Sequence, residues 1–107
     1  MAEVKVCSVD DLKPGSARRF DVGGHRLAVV RIGDDGWYVI GDRCTHAEAS
    51  IAEGEVWADE MEIECPKHGS SFSLTSGAPL TLPATQPVPV YAVRVDGRDV
   101  LVEVPEG

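Results

Sequence analysis

Basic residues are scarce in this chain of 107 residues, and so are aromatic ones. Ten Lys and Arg face eighteen Asp and Glu, which leaves a formal net charge of −8. A surface able to bind nucleic acid phosphates or an anionic membrane is therefore not expected. The longest window without a charged residue, 68–93, contains four prolines and two glycines, which would break a membrane-spanning helix. The sequence predicts neither a nucleic-acid-binding nor a membrane protein.

Signals for export and for nucleotide binding are also missing. The first fifteen residues, MAEVKVCSVDDLKPG, show no basic segment followed by an apolar core, so we expect a cytoplasmic protein. In that compartment thiols stay reduced, and cysteines are metal ligands more often than they form disulfides. The chain has three cysteines. No Gly-x-Gly-x-x-Gly motif opens a helix, so the chain shows no fold that would bind a nicotinamide or flavin cofactor. Its length predicts one domain, residues 1–107.

Short apolar and β-branched segments alternate with turn residues along most of the chain. The segment HRLAVVRI lies between Gly23-Gly24 and a Gly-Asp-Asp-Gly turn. Near the end, YAVRV and VLVEV flank Asp96-Gly97, the strongest hairpin signal present. No long segment has the period of 3.6 residues that a helix requires. The pattern predicts an all-β domain of antiparallel strands, with Cys7 in the first strand as a small packing residue.

Cysteine and histidine occur together in two short motifs. These are Cys44-Thr45-His46 and Cys65-Pro66-Lys67-His68, separated by the eighteen residues 47–64. The intervening segment can form a small hairpin, which would place both motifs at adjacent loops. Two such loops supply four metal ligands, which suits tetrahedral zinc or an iron–sulfur cluster. Zinc motifs more often keep like ligands together, whereas each loop here mixes them.

The arrangement C-x-H…C-P-x-H-G-S-x-F resembles the Rieske family of iron–sulfur proteins. The resemblance extends to RCTHAEASIAEGEV, CPKHGSSF and TSGAPLTLPAT and spans residues 18–104. It implies a small antiparallel β-sandwich of Rieske type. A cluster-binding subdomain of about residues 42–84, with two loops and a small hairpin, would be inserted in the basal β-domain. The implied cofactor is a [2Fe–2S] cluster with two Cys and two His ligands.

The resemblance also implies a role for individual residues. Cys44 and Cys65 would bind one iron, and His46 and His68 the other iron, near the protein surface. Ser70 stands where high-potential relatives present a hydroxyl to a cluster sulfur, which would stabilise the reduced cluster.

Other positions imply a low reduction potential. High-potential relatives carry a disulfide between two extra cysteines, and the matching positions here are Ala49 and Lys67. Phe72 replaces their hydrogen-bonding tyrosine. We therefore expect a midpoint toward the low end of the Rieske range of roughly −150 to +300 mV.

The number of histidines limits the function. Once His46 and His68 are used, only His25 remains, and a mononuclear oxygenase iron typically needs two His and a carboxylate. The chain is therefore interpreted as a one-electron carrier and not as an enzyme. The resemblance implies a monomeric Rieske ferredoxin that passes electrons from an NAD(P)H-dependent flavoprotein reductase to a terminal non-haem iron oxygenase, as in ring-hydroxylating dioxygenase systems.

Two kinds of alternative stay open. The ferredoxin could serve an iron–sulfur assembly or nitrite reductase system, which share the cluster and differ in the partner protein. In a different class, the same four ligands could hold a structural zinc ion in an interaction domain.

The acidic residues are concentrated between the two motifs. Residues 42–64 hold eight Asp and Glu against the single base Arg43, a net charge of −7 out of −8. The uncharged window 68–93 begins at His68, the last residue of the second motif. We expect the carboxylates to attract basic surfaces of partner proteins.

Overall fold

Strands are the dominant regular structure of this chain. The computed structural model describes residues 2–33, 36–43, 49–67, 69–80 and 86–104. In this part of the chain the only helical elements are single 3-10 turns at Val9–Asp11 and Ile51–Glu53. The strands are β1 (Ala2–Ser8), β2 (Ser16–Val22), β3 (His25–Ile32), β4 (Gly36–Gly41), β5 (Val56–Trp57), β6 (Glu62–Glu64), β7 (Ser71–Ser73), β8 (Val90–Tyr91), β9 (Val93–Asp96) and β10 (Asp99–Val104).

The strands form three antiparallel sheets. Their orders are β1-β10-β9, β2-β3-β4-β8 and β5-β6-β7. The predicted all-β antiparallel class is therefore confirmed. The hairpin predicted at Asp96-Gly97 joins β9 to β10, and Gly97 has the positive φ of 64° that such a turn requires. No helix in the described ranges is long and apolar enough to cross a membrane.

The central strand β3 explains how the sheets pack. Its residues Leu27, Ala28, Val29 and Val30 are all fully buried, although side chains alternate between the two faces of a sheet. Leu27 and Val29 belong to a core shared with β1 and β10, whereas Ala28 and Val30 belong to a core shared with β6 and β7. The sheet containing β3 is thus covered on both faces. A continuous apolar run is what two-sided burial demands.

Cys7 lies in β1 and packs in the core between β1, β10 and β3, as predicted. It is 5% exposed. Burial, and secondarily the nearby Asp11 carboxylate, raises the pKa of its thiol to about 11. The thiol therefore stays protonated at neutral pH and behaves as an apolar packing group.

The sheet β5-β6-β7 lies between β4 and β8 in the sequence. Its first two strands form the small hairpin predicted between the Cys/His motifs, with Val56 paired to Ile63 and Trp57 paired to Glu62. The 3-10 turn that precedes β5 contacts this sheet closely at Gly54. A Cβ atom on Gly54 would overlap the backbone carbonyl oxygen of Glu64. Only glycine allows these two segments to approach so closely.

We predict that Gly54→Ala lowers the free energy of unfolding by about 2–3 kcal/mol, because the added methyl group meets backbone that must move. Gly97→Ala is the matched control, since its Cβ meets no atom within 4 Å and only the positive φ is unfavourable. The control should cost about 1–2 kcal/mol. Denaturant unfolding followed by far-UV circular dichroism measures both. Equal losses in the two variants would contradict the close contact at Gly54.

Candidate metal centre

One of the four predicted metal ligands lies in the described part of the chain. Cys65 directly follows β6 and is fully buried, in the core that also contains Ile63 and Phe72. Cys44, His46 and His68 lie outside the described residues. Within the described ranges, no group of three or more His, Cys, Asp or Glu could hold a metal ion.

The backbone after Cys65 folds back on itself. The Cys65 amide donates a hydrogen bond to the Ser70 carbonyl oxygen at 2.6 Å, and the Gly69 amide donates to the Cys65 carbonyl oxygen at 3.1 Å. Gly69 has a φ of 74°, a left-handed conformation that glycine adopts without penalty. Residues 65 and 70 thereby become the two ends of a tight loop between β6 and β7. In the sequence, His68 belongs to this loop.

Ser70 lies next to Cys65 and is fully buried. Its place at the end of the tight loop is compatible with the predicted role of its hydroxyl group, which stays a prediction. Phe72, two residues further on, is also fully buried and belongs to the hydrophobic core. It contributes packing to the region and has no hydroxyl group to donate.

The other loop, which comes first in the chain and is called the first loop below, begins after β4. The Ile51 amide donates to the Asp42 carbonyl oxygen at 2.7 Å, and Arg43 and Ser50 form an isolated antiparallel bridge. The two ends of segment 43–50 therefore lie side by side. In the sequence, Cys44 and His46 fall inside this segment.

The described ends of the two loops lie close to each other. The Glu64 amide, one residue before Cys65, donates to the Glu55 carbonyl oxygen at 2.9 Å. Ile51 at the end of the first loop and Cys65 at the start of the second belong to the same core. The fold thus brings together the segments that carry the two motifs, while the positions of Cys44, His46 and His68 stay predictions.

Sequence reasoning missed the role of Asp42. It was counted with the acidic residues expected to face partner proteins, but it is fully buried and hydrogen-bonded to Ser50 and Ala52. Its position between a strand and the first motif suits a buried or an exposed side chain equally, so no local signal identified it. Among the described acidic residues of 42–64, by contrast, Glu53, Glu55, Asp59 and Glu60 are exposed.

Comparison with known families decides which metal group suits this arrangement. The model of the Rieske [2Fe-2S] domain matches residues 2–92. The chain belongs to this family. Its cofactor is accordingly a Rieske-type [2Fe–2S] cluster with Cys and His ligands. The family assignment selects this cluster over the zinc ion that the sequence had left open.

Relatives of this Rieske chain are similar over nearly its whole length. The ferredoxin subunit of 3-phenylpropionate/cinnamic acid dioxygenase from Shigella boydii serotype 4 (strain Sb227) is 40% identical over 106 residues, covering 99% of this chain and 97% of the relative. Among solved structures, the ferredoxin of carbazole 1,9a-dioxygenase from Nocardioides aromaticivorans IC177 is 45% identical. Its TM-score is 0.90, over 95% of this chain and 97% of that chain.

A further solved structure is a complex of reduced oxygenase and oxidized ferredoxin in carbazole 1,9a-dioxygenase. It is 42% identical with a TM-score of 0.83, over 94% of this chain and 91% of that chain. The prediction of a ferredoxin, an electron-transfer component of a dioxygenase system, is confirmed by these relatives.

The described residues fit the cluster that the family implies. Cys65 presents a buried thiol at the end of a strand, in a loop whose backbone hydrogen bonds involve both its amide and its carbonyl group. Cys7 packs in the other core, on the opposite face of the central sheet, so it does not compete as a ligand. When bound, the cluster accepts and donates one electron. This protein supplies the loops, the burial and the charges around it.

We predict that Cys65→Ala abolishes retention of the [2Fe–2S] cluster. The iron proposed to be bound by Cys44 and Cys65 would keep only one protein ligand. Cys7→Ala is the matched control and should keep a full complement of iron and sulfide, with a loss of stability only. Iron and acid-labile sulfide analysis, together with the visible absorption spectrum, measures the outcome. A coloured Cys65→Ala protein with normal iron content would contradict the assignment of this ligand.

Proposed function

We propose that the protein carries single electrons from an NAD(P)H-dependent flavoprotein reductase to a terminal non-haem iron oxygenase. The observation that carries this proposal is the similarity of 40–45% identity, over nearly the whole chain, to ferredoxins of dioxygenase systems. The solved complex of a related ferredoxin with its oxygenase supports the second half of the route. The reductase is proposed because a protein with one [2Fe–2S] cluster takes up one electron at a time and needs a partner that supplies single electrons.

Within this proposal the molecule is a single domain, residues 1–107, with the cluster-binding subdomain at about residues 42–84. Cys44 and Cys65 hold one iron, and His46 and His68 hold the other. The sheet β5-β6-β7 and the preceding 3-10 turn belong to this subdomain, and their packing on the central sheet buries Cys65. Burial of Cys65 keeps water away from the iron that the cysteines bind. The imidazoles of His46 and His68 are the proposed route for the electron. Surface imidazoles would let each partner come close to the outer iron.

Charge supports encounters with basic partner surfaces. Glu53, Glu55, Asp59 and Glu60 are exposed, on the 3-10 turn and on the hairpin between the two loops. Carboxylates grouped in this way attract a basic surface over about one Debye length, near 10 Å at 0.1 M salt. Exposed Trp57 lies on the same hairpin. A patch of this kind increases the association rate more than the final affinity.

Electron transfer to purified partners tests the function. Purified anaerobically, the protein should contain equal iron and sulfide and show the low average g-value of a reduced mixed-ligand cluster. It should be reduced by NAD(P)H plus a ferredoxin reductase and reoxidised by a ring-hydroxylating oxygenase. The reduction rate should fall as ionic strength rises, because salt screens the exposed carboxylates.

The same experiment distinguishes the alternative partners. Reduced protein that is oxidised by an assimilatory nitrite reductase, and not by the oxygenase, would replace the proposed acceptor. Transfer to iron–sulfur assembly proteins alone would do the same. A reduction rate independent of salt would refute the electrostatic part of the proposal while leaving electron transfer intact.

We predict that Ser70→Ala lowers the midpoint potential of the cluster, because a hydroxyl donor to a cluster sulfur stabilises the reduced, more negative state. The wild-type midpoint itself should lie in the lower part of the Rieske range of roughly −150 to +300 mV. Ser73→Ala is the control: Ser73 lies on β7, three residues after Ser70, and its hydroxyl pairs with the Thr75 hydroxyl and with the Thr75 and Ser76 amides. Redox titration measures the midpoint potentials of the wild type, Ser70→Ala and Ser73→Ala. An unchanged midpoint in Ser70→Ala would exclude the role of the hydroxyl.

A further inference from the structure

Asp42 is the only charged residue that is buried in the part of the chain that the structure describes. It directly follows β4 and precedes Cys44 by two residues. A buried carboxylate is unfavourable unless hydrogen bonds and opposite charges compensate for the lost hydration. The contacts of Asp42 therefore indicate what the residue does.

Both carboxylate oxygens of Asp42 accept hydrogen bonds from the far end of the first loop. The Ser50 hydroxyl donates to Oδ2 at 2.6 Å, and the Ala52 amide donates to Oδ1 at 2.8 Å. The Ile51 amide donates to the backbone carbonyl oxygen of the same residue at 2.7 Å. Three consecutive residues at the loop's exit are thus bonded to one residue at its entrance.

The other contacts of the carboxylate reach the central sheet. Oδ2 lies 3.5 Å from Arg26 Nη2 on β3 and 3.9 Å from Arg19 Nε on β2. In addition, the Asp42 amide donates to the Arg26 carbonyl oxygen at 3.0 Å. The residue therefore connects the loop to the strands beneath it by charge as well as by hydrogen bonds. Such a buried network is stable only when complete, since removing one partner leaves the others uncompensated.

Segment 43–50 contains two of the four proposed ligands. Joining its ends removes conformations in which Cys44 and His46 would be displaced from the other loop. Residues that orient metal ligands through hydrogen bonds commonly control how well the metal is held. We propose that Asp42 is a positioning residue for the [2Fe–2S] cluster: it closes the first ligand loop onto the central sheet and places a negative charge beside the site. This inference rests on the proposed ligands Cys44 and His46.

Three variants of the holoprotein test the proposal. Asp42→Ala removes every side-chain contact of the carboxylate. Asp42→Asn keeps an oxygen for the Ala52 amide and an amide group able to donate to the Ser50 hydroxyl, but it removes the charge. Asp21→Asn is the matched control, because it neutralises an exposed carboxylate that also pairs with Arg19, at 3.1 Å, without touching the loop.

Iron release to a chelator, followed at the visible band of the cluster, is the first measurement. Asp42→Ala should release iron at least about tenfold faster than wild type, since hydrogen bonds to charged groups are worth that factor or more. Asp42→Asn should release iron more slowly than Asp42→Ala, and Asp21→Asn should release it at the wild-type rate. Equal release from folded Asp42→Ala and wild type would overturn the proposal.

Two readouts separate positioning from general stability. Loss of the buried charge should raise the midpoint potential in Asp42→Ala and Asp42→Asn, because a nearby negative charge opposes reduction. The electron resonance signal should broaden only in Asp42→Ala, where the loop is no longer joined at its ends. A lowered melting temperature with an unchanged midpoint and signal would mean that Asp42 acts on the fold alone, and the proposal would be wrong.

Ser50→Ala keeps the test decisive if Asp42→Ala does not fold. It removes only the 2.6 Å hydrogen bond to Oδ2 and should speed iron release by about fivefold or more. Wild-type release from Ser50→Ala, with an unshifted midpoint in Asp42→Asn, would reject the proposal. Cys44→Ala, measured alongside, tests the ligand assignment separately from the positioning role. If Cys44→Ala keeps the cluster, the ligand assignment is wrong, and the result does not bear on Asp42 itself.

Discussion

Burial of β3 on both faces is the constraint on which the rest of the structure depends. A strand with four consecutive fully buried residues needs an apolar layer above it and another below it. The sheet of β1, β9 and β10 covers one face, and the 3-10 turn with β6 and β7 covers the other. Because Cys65 lies at the end of β6, the layer that completes the core is also the layer that presents a proposed metal ligand. Packing and function therefore share the same contacts.

Hydrogen bonds hold the described ends of both proposed ligand loops. The loop after Cys65 is fixed by two backbone hydrogen bonds, and the first loop is joined at its ends by Asp42. An electron carrier benefits from such rigidity, because a site that moves little on changing its charge needs little reorganisation. The exposed carboxylates of the described residues between the two loops lie on the 3-10 turn, just after it and on the hairpin. Under the proposed function, attraction of a partner and binding of the cofactor would rest on different residues.

Local sequence signals predicted those parts that depend on neighbours along the chain. Asp96-Gly97 specified a hairpin because its turn chemistry is local, and in β10 buried and more exposed residues alternate as a half-buried sheet requires. The burial of Asp42 was not predictable, since the same Asp before a loop can face solvent or the interior. Only the arrangement of Arg26, Ser50 and Ala52 around it decides between the two.

By itself the sequence determined the antiparallel all-β class, from its short apolar segments and turn residues, and it indicated the family, from two mixed Cys/His motifs. The match to the Rieske domain then selected the [2Fe–2S] cluster over zinc. The sequence also determined that Cys7 would be a packing residue. Tertiary structure alone decided that the sheet containing β3 has two covered faces and that Gly54 must lack a side chain against Glu64. It also decided which acidic residue is buried rather than exposed. These outcomes depend on contacts between residues distant in sequence, and burial depends on what covers a residue rather than on the residue itself.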